Sequence, residues 1–261
     1  MLTDTHCHIL STEYYNPQSI IDNLSSSNIK RIIINGYNQI SNEEVLKLIN
    51  NQNVYGALGI HPDNISLNLD KELDYITQNI NTKGIIAIGE IGLDYYHNDQ
   101  NKEEQIKLLD YFLTLAENNN LPVIIHNRNA TDDLLKILKR HHNKGIIHCF
   151  SGSLETATEF IKLGFKLGIG GVVTFKNSNL PQTLSKINIE NILLETDSPY
   201  LSPAPLRGTI NEPLNLNIIE KKICEIYSLS PEKVENILES NFNDIFDIKN
   251  QTWYNEKRYG A

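Results

Sequence analysis

Five apolar segments of this sequence each end in a histidine or a carboxylate, the residue types that bind metals and transfer protons. Each segment has the length and the isoleucine and valine content of a buried strand. The residues at the ends are His6-Cys7-His8, Glu90, His126, His148 and Glu195-Thr196-Asp197. An ionisable group at the end of a buried strand costs free energy unless it is paired or bound to a metal. We therefore interpret the five ends as one site assembled at one edge of a sheet.

Two histidines in the first segment form one half of this predicted site. His6 and His8 are two residues apart, and the period-two alternation of a strand places both imidazoles on one face and directs Cys7 away from it. Imidazoles on one rigid element are good ligands for a divalent metal ion. A lone pair of this kind is a weak signal, and the prediction depends on all five segments together.

Glu90 is the predicted centre of the site, because its two carboxylate oxygens can bridge two metal ions about 3.5–4 Å apart. The other expected ligands divide between the two ions: His6, His8 and Asp197 for one, and His126 and His148 for the other. Mixed imidazole and carboxylate ligation is compatible with Mg, Mn, Zn or Co, and the sequence does not select among them.

The expected chemistry is hydrolysis by a hydroxide that the two metals generate. A divalent ion lowers the pKa of its water from 15.7 to roughly 7, and Asp197 would steer or accept the remaining proton. Glu195 lies two residues earlier. It is either a group that orients a ligand, an extra ligand, or a buried structural carboxylate, and the sequence leaves these alternatives open.

Segments typical of strands and helices alternate along the 261 residues. Eight such units without a Pro- or Gly-rich linker predict a parallel sheet. They match a single-domain (β/α)8 TIM-type barrel better than a doubly wound sheet. Catalytic groups of such barrels lie at the C-terminal ends of the strands, where all five ionisable ends fall.

Local patterns predict the bounds of several elements. Helices are expected over residues 20–30 and over residues 41–50, the second with a capping box of Ser41 and Glu44. The strand that begins at residue 85 is expected to end at residue 89. The last helix, over residues 231–246, has Ser230 as its cap and a proline at its first position.

Residues 247–261 are predicted to form a C-terminal appendage. Trp253 and Tyr259 could dock it on the barrel, and a surface tail is the alternative. We expect no membrane span, because no apolar stretch reaches 18 residues, and no signal peptide. The three cysteines are far apart in the chain, which suits a reducing cytoplasm. We expect a cytoplasmic monomer.

A set of motifs resembles those of the TatD family of metal-dependent deoxyribonucleases, which belong to the amidohydrolase-like barrels. The motifs occur in family order and cover the chain from residue 2 to about residue 246. They are Asp4-Thr5-His6-Cys7-His8, Gly59-Ile60-His61-Pro62, Gly89-Glu90-Ile91-Gly92-Leu93-Asp94-Tyr95, Ile125-His126-Asn127-Arg128, His148-Cys149-Phe150-Ser151-Gly152, Glu195-Thr196-Asp197-Ser198-Pro199-Tyr200-Leu201, Arg207-Gly208 and Asn211-Glu212-Pro213. The resemblance implies a TIM-type barrel, divalent metals and hydrolysis of the phosphodiester bonds of DNA, often from the 3′ end.

Two positions depart from the family pattern. Asn129 stands where the family usually has an acid, and Leu206 stands where a histidine often precedes the arginine. Both positions lie where substrate would bind. The departures therefore bear on substrate preference more than on catalysis.

Three further residues are candidates for contact with substrate. Arg128 and Arg207 carry guanidinium groups that suit phosphate oxygens, with a solvated or ion-paired arginine as the alternative. His61 ends the third predicted strand and would contact substrate or protonate the leaving oxygen, or serve as a structural histidine. His97 is expected to be peripheral, and Cys149 is expected to pack inward as a small hydrophobe.

The sequence predicts a two-metal phosphodiesterase that acts on DNA. The net charge of −9 is unusual for a protein that binds long nucleic acid through its general surface. We therefore expect ends, single strands or short oligomers as substrates. One alternative is a barrel of the same type that hydrolyses a small ester, amide or phosphoester, and a second is a metal-binding protein without catalytic activity. Glu90, in place of a carbamate-forming lysine, favours the phosphodiesterase.

Overall fold

Eight parallel strands form one sheet in sequential order in the described part of the chain. The computed structural model describes residues 1–50, 52–97, 100–246 and 248. The strands are β1 (Leu2–Cys7), β2 (Ile29–Asn35), β3 (Val54–Leu58), β4 (Ile85–Asp94), β5 (Val123–Arg128), β6 (Gly145–Ile147), β7 (Phe165–Ile169) and β8 (Ile192–Leu194).

The last strand returns to the first and nearly closes the sheet. The Thr5 hydroxyl donates to the carbonyl of Leu194 at 3.0 Å, and beyond β8 the Asp197 amide donates to the carbonyl of His6 at 3.0 Å. The predicted (β/α)8 TIM-type barrel is confirmed. Its closure brings the first and last predicted metal ligands of the chain side by side.

Helices follow the strands, as a right-handed parallel topology requires. They are α1 (Pro17–Leu24), α2 (Gln39–Leu48), α3 (Leu69–Asn79), α4 (Lys102–Asn119), α5 (Thr131–Leu138), α6 (Leu154–Lys162), α7 (Leu180–Leu184), α8 (Leu216–Tyr227) and α9 (Pro231–Ile245). Within the described ranges, we find no helix with the length and apolar content needed to cross a membrane.

Two apolar clusters form the core. In β2, Ile32 and Ile34 belong to the larger cluster and Ile33 to the smaller one, as the alternation of side chains along a strand requires. The smaller cluster joins side chains from strands on opposite sides of the barrel and therefore fills its interior. It includes Phe242 and Phe246, so α9 closes one end of the barrel.

Two predicted helix starts are wrong. The first helix is α1 rather than residues 20–30, because the Asn16 side chain accepts from the Ser19 amide and caps a helix that Pro17 begins. The predicted capping box of Ser41 and Glu44 is also wrong. Asn38 is the cap of α2 and Ser41 is its reciprocal partner.

The other boundaries agree better with the prediction, with one exception. β4 continues to Asp94, five residues beyond its predicted end. The Ser230 side chain accepts from the Lys233 amide, which confirms the predicted cap of α9. Residue 247 and residues 249–261, which include Trp253 and Tyr259, lie outside the described residues, and the appendage stays a prediction.

Candidate metal and catalytic site

The C-terminal ends of the strands bring together all six side chains predicted as metal ligands. None of these side chains is more than 16% exposed. They come from β1 and the residue after it, β4, β5, and the loops after β6 and β8: His6, His8, Glu90, His126, His148 and Asp197. The carboxylate of Glu90 lies between two groups of imidazoles.

One oxygen of Glu90 faces the histidines of the first strand end. Its Oε2 is 3.6 Å from His6 Nε2 and 3.5 Å from His8 Nε2, and these two nitrogens are 3.1 Å apart. Asp197 Oδ1 is 3.6 Å and 3.8 Å from the same nitrogens. Tetrahedral ligands at about 2.0–2.1 Å from a zinc ion stand about 3.3–3.4 Å from each other. The donor atoms of Glu90, His6 and His8 therefore have a spacing that fits one divalent ion, and Asp197 lies beside the two imidazoles.

The other oxygen of Glu90 faces a second pair of imidazoles. Its Oε1 is 3.1 Å from His126 Nδ1 and 3.0 Å from His148 Nε2, and these nitrogens are 3.3 Å apart. Each oxygen of Glu90 thus has its own pair of nitrogen donors, as a carboxylate that bridges two metal ions requires.

Outer hydrogen bonds orient two of the imidazoles for ligation. His8 Nδ1 is 2.9 Å from the carbonyl oxygen of Asn35, which can only accept, so this nitrogen carries the proton and Nε2 presents its lone pair. His126 Nε2 is 3.0 Å from Asp94 Oδ2, which leaves the Nδ1 lone pair directed at Glu90. Such outer partners are typical of histidines that bind metals.

Burial and neighbouring charges shift the pKa values of Glu90 and His148 in opposite directions. Burial raises the pKa of Glu90, but the surrounding imidazoles, His148 foremost, bring it well below its usual range. Burial lowers the pKa of His148, but Glu90 raises it well above its usual range. Burial holds the pKa of His6 well below its usual value and raises that of Asp197 to about 6. Divalent ions, which bind deprotonated nitrogen and oxygen donors, would resolve this competition for protons.

The comparisons with known proteins agree with this site. A family model described as TatD related DNase matches residues 3–247. This chain belongs to the TatD family. It is 35% identical to YabD of Bacillus subtilis, named an uncharacterized metal-dependent hydrolase, over 95% of this chain and 100% of the relative. It is also 32% identical to YjjV of Escherichia coli, named in the same way, over 94% of this chain and 97% of the relative.

Solved structures confirm the barrel. The crystal structure of YjjV, a TatD homologue from Escherichia coli, superposes with a TM-score of 0.86 at 31% identity and covers 94% of this chain and 98% of its own. A TatD-family hydrolase from Entamoeba histolytica has the same fold, with a TM-score of 0.82 at 21% identity over 94% of this chain and 97% of its own. The chain is thus a metal-dependent hydrolase of the TatD family with a TIM-type barrel.

Glu195 of this TatD-family site lies directly behind His148. It is fully buried, its Oε1 is 3.4 Å from His148 Nδ1 and also accepts from the Cys149 amide. Its Oε2 has no hydrogen-bond partner among the described residues. A Cβ at Gly168 would lie 2.2 Å from that oxygen, so the absence of a side chain at Gly168 leaves the space that Glu195 occupies.

The sequence analysis did not assign a role to Asp94, although it belongs to one of the TatD motifs. Asp94 is fully buried at the end of β4, and its Oδ2 lies 3.0 Å from His126 Nε2 and 2.9 Å from His97 Nδ1. A signal was present, since Asp94 also ends an apolar run. It was missed because the strand was expected to stop at Gly89.

Two neighbouring side chains make contacts that the sequence did not indicate. His97 lies at the periphery with its side chain half exposed, but its Nδ1 also lies 3.1 Å from Asp63 Oδ2 and so joins two carboxylates beside the site. Cys149, which was expected to pack inward as a small hydrophobe, has its Sγ 3.6 Å from Asp197 Oδ2 and therefore contacts a predicted ligand.

His61 lies at the same mouth, with its Nε2 3.8 Å from Glu90 Oε1. Its Nδ1 accepts from the Asp63 amide at 3.1 Å, so the neutral ring carries its proton on Nε2. Burial lowers the pKa of His61 to about 4, which keeps the ring neutral near pH 7. His61 therefore presents an N–H donor toward the carboxylate of Glu90.

Both predicted substrate arginines lie over aromatic rings. The guanidinium carbon of Arg128 is 3.9 Å from the centre of the Tyr96 ring, and that of Arg207 is 3.8 Å from the centre of the Phe175 ring. Neither arginine forms an ion pair with any of the described residues, which removes one alternative considered for them. Stacking holds a guanidinium plane while its edge remains able to donate hydrogen bonds.

Proposed function

We propose that this TatD-family hydrolase cleaves the phosphodiester bonds of DNA, exonucleolytically from the 3′ end, with two divalent metal ions. The observation that carries the proposal is the position of Glu90, whose Oε2 lies 3.5 Å from His8 Nε2 while its Oε1 lies 3.0 Å from His148 Nε2. The description of the matching family as related to a DNase supports DNA as the substrate.

In this proposal the ligands divide into two sets that share Glu90: His6, His8 and Asp197 for one ion, and His126 and His148 for the other. Glu195 stays outside both sets and lies behind the ring of His148. When bound, Mg, Mn, Zn or Co would polarise the phosphoryl oxygens and activate water.

The side chains of the protein perform the remaining steps. The carboxylate of Asp197 accepts the proton of the attacking water, a role that suits a group whose pKa is raised toward neutrality by burial. His61 donates from Nε2 to a phosphate oxygen or to the leaving oxygen. Arg128 and Arg207 neutralise charge that develops on the phosphoryl group.

The overall charge restricts which nucleic acid can bind. With a net charge of −9, the surface repels long duplexes, and we propose that DNA ends, single strands and short oligomers reach the site. The three cysteines are free in the structure, which supports a cytoplasmic location. We further propose that the protein acts as a monomer.

A degradation assay on end-labelled oligonucleotides tests this function. With Mg, Mn, Zn or Co, a 3′ label should be released at once as a mononucleotide, whereas a 5′ label should shift gradually to shorter products. Glu90→Gln should abolish both, whereas Glu155→Gln, which changes an exposed glutamate, should abolish neither.

The same assay separates the alternatives. Internal cleavage, or release that begins at the 5′ end, would contradict the proposed polarity. Turnover of an ester, an amide or a phosphotriester without turnover of DNA would contradict the proposed substrate. No turnover of any substrate with any of the four ions would favour the metal-binding protein without activity.

A further inference from the structure

We propose that Asp94 positions two groups at once, the metal ligand His126 and the substrate-facing Arg128. The first effect is a direct hydrogen bond, and the second passes through Tyr96 and His97. The inference rests on the proposed function in taking His126 as a metal ligand and Arg128 as a substrate contact. It makes Asp94 a positioning residue that joins the metal side of the mouth to its phosphate side.

The backbone of Asp94 is itself held from behind. Gln105, a fully buried residue of α4, accepts from the Asp94 amide at 2.8 Å and donates to the Asp94 carbonyl at 3.0 Å. One side chain from a packed helix therefore binds both the backbone N–H and the backbone C=O of Asp94. The carboxylate of Asp94 consequently projects from a fixed point at the end of β4.

The metal side depends on Asp94 Oδ2. This oxygen accepts from His126 Nε2 at 3.0 Å, and the opposite ring nitrogen faces Glu90 Oε1 at 3.1 Å. A carboxylate can only accept here, so it selects the tautomer of His126 that carries its lone pair on Nδ1. An asparagine could instead present an N–H and select the wrong tautomer.

The phosphate side depends on a turn that the same carboxylate closes. Asp94 Oδ1 accepts from the amides of Tyr96 and His97 at 2.8 Å and 3.0 Å. His97 Nδ1 donates to the carboxylate at 2.9 Å, and its Nε2 therefore retains a lone pair. That lone pair lies 3.3 Å from Arg128 Nη1 and can accept from it.

Arg128 is thus held on two sides. The ring of Tyr96 covers one face of the guanidinium at 3.9 Å, and His97 accepts from one of its edges. The remaining N–H groups have no hydrogen-bond partner among the described residues, so they can bind phosphate oxygens in a plane that is set before substrate arrives. Prior orientation of this kind strengthens binding because less side-chain entropy is lost.

Calorimetric titration of the full-length apoprotein with Mn²⁺ or Zn²⁺ tests the effect of Asp94 on His126. Asp94→Asn should weaken the binding of one of the two ions by about 10- to 100-fold, whereas His97→Ala should leave both affinities within about twofold. Asp94→Ser, whose hydroxyl can still accept from the turn amides, replaces Asp94→Asn if that variant does not fold. Unchanged metal affinity in the folded variant would overturn the proposal that Asp94 positions His126.

Steady-state kinetics on a short single-stranded oligonucleotide test the effect of Asp94 on Arg128, which passes through His97. His97→Ala should raise KM about tenfold with a smaller effect on kcat, and His97→Gln, which restores an acceptor oxygen, should recover part of the loss. His97→Ala should add little to the effect of Arg128→Ala, because both act on one group. His142→Ala, at an exposed histidine, is the matched control. Additive effects of His97→Ala and Arg128→Ala would overturn the proposal that His97 positions Arg128.

These measurements remain informative if the protein does not cleave DNA. The metal titration needs no substrate, and the cycle of His97 and Arg128 variants can be repeated on the metal-loaded protein with inorganic phosphate as the ligand. If both expected results are obtained but DNA is not degraded, only the proposed function is rejected. If either expected result is not obtained in a protein that degrades DNA, only the role of Asp94 is rejected.

Discussion

Single residues of this site are held by a layer of buried groups behind the predicted metal ligands. Glu195 lies behind His148, Asp94 behind His126, and the carbonyl of Asn35 behind His8. A metal site with such a layer is oriented before the ion binds. The space that this layer needs is therefore part of the site.

Gly168→Ala tests how much space Glu195 requires. The added Cβ would lie 2.2 Å from Glu195 Oε2 and 3.1 Å from His148 Cα, so the fully buried carboxylate would have to move. We expect a loss of about 1–3 kcal/mol in the free energy of unfolding and weaker metal binding. Urea denaturation and calorimetric metal titration measure the two effects.

The neighbouring Gly170 offers a matched control for this substitution. A Cβ at Gly170 would have its nearest atom at 3.7 Å, which is an ordinary contact. Gly170→Ala should therefore change the free energy of unfolding by less than about 0.5 kcal/mol. Equal effects of the two substitutions would show that Glu195 does not need the space at Gly168.

Sequence reasoning could predict that the six candidate ligands meet, but not the layer behind them. Each predicted ligand lies at or just beyond the end of an apolar segment of the sequence, and the C-terminal ends of parallel strands meet at one mouth. The role of Asp94 depends on how far β4 extends and on the register of β4 against β5. The contact of Cys149 with Asp197 could not be predicted either, because it joins residues from two different loops that are 48 positions apart in the chain.

At the scale of elements, the positions of the strands were predictable and helix starts less so. A buried strand is marked by its own apolar content, which is why β1 and β5 were found from composition alone. A helix start depends on which of several polar residues caps it. Asn38 and Ser41 are both good caps, and tertiary contacts decided between them, since Glu44 accepts from the amide and hydroxyl of Ser11 instead.

The contact between α9 and β2 supports a second prediction. Glu239 of α9 pairs with the buried Arg31 of β2 and with Lys30 at 2.7 Å, while Arg31 also lies over the Phe242 ring at 3.9 Å. Glu239→Gln would leave the buried guanidinium without its carboxylate. We expect a loss of about 1–2 kcal/mol in the free energy of unfolding at pH 7.

The pH dependence of this loss has a definite sign. Burial raises the pKa of Glu239, but Arg31 and Lys30 lower it to about 2 in the folded protein. The stabilisation is therefore complete above the ordinary glutamate pKa and is lost as the pH falls toward 2. Urea unfolding at pH 7 and pH 3 should show a smaller difference between wild type and variant at pH 3.

An exposed ion pair provides the comparison for Glu239. Lys222 and Glu225 lie 3.0 Å apart on α8 with side chains that are 36% and 54% exposed. Glu225→Gln should cost less than about 0.5 kcal/mol at either pH. If Glu239→Gln cost no more than this, the contact with α9 would not be a significant source of stability.

The whole molecule separates stability from chemistry at the two ends of one barrel. Phe242 and Phe246 of the α9 region fill the interior near Arg31, which lies at the start of β2. The predicted ligands occupy the opposite end, where the strands finish. Buried charge is concentrated at the mouth, the end of the barrel where such folds place their catalytic groups.

The charge of the whole molecule supports a last prediction, on the choice of nucleic acid. A net charge of −9 opposes contact between DNA phosphates and the general surface of the protein. The two arginines proposed to bind phosphate, Arg128 and Arg207, lie over exposed or half-buried rings. Closed-circular duplex DNA, which has no ends and no unpaired bases, should compete poorly for the site. Its inhibition constant per nucleotide, measured against degradation of a labelled single strand, should be at least about tenfold weaker than that of an unlabelled single strand. Comparable inhibition by the two competitors would mean that duplex DNA binds along a surface outside the mouth.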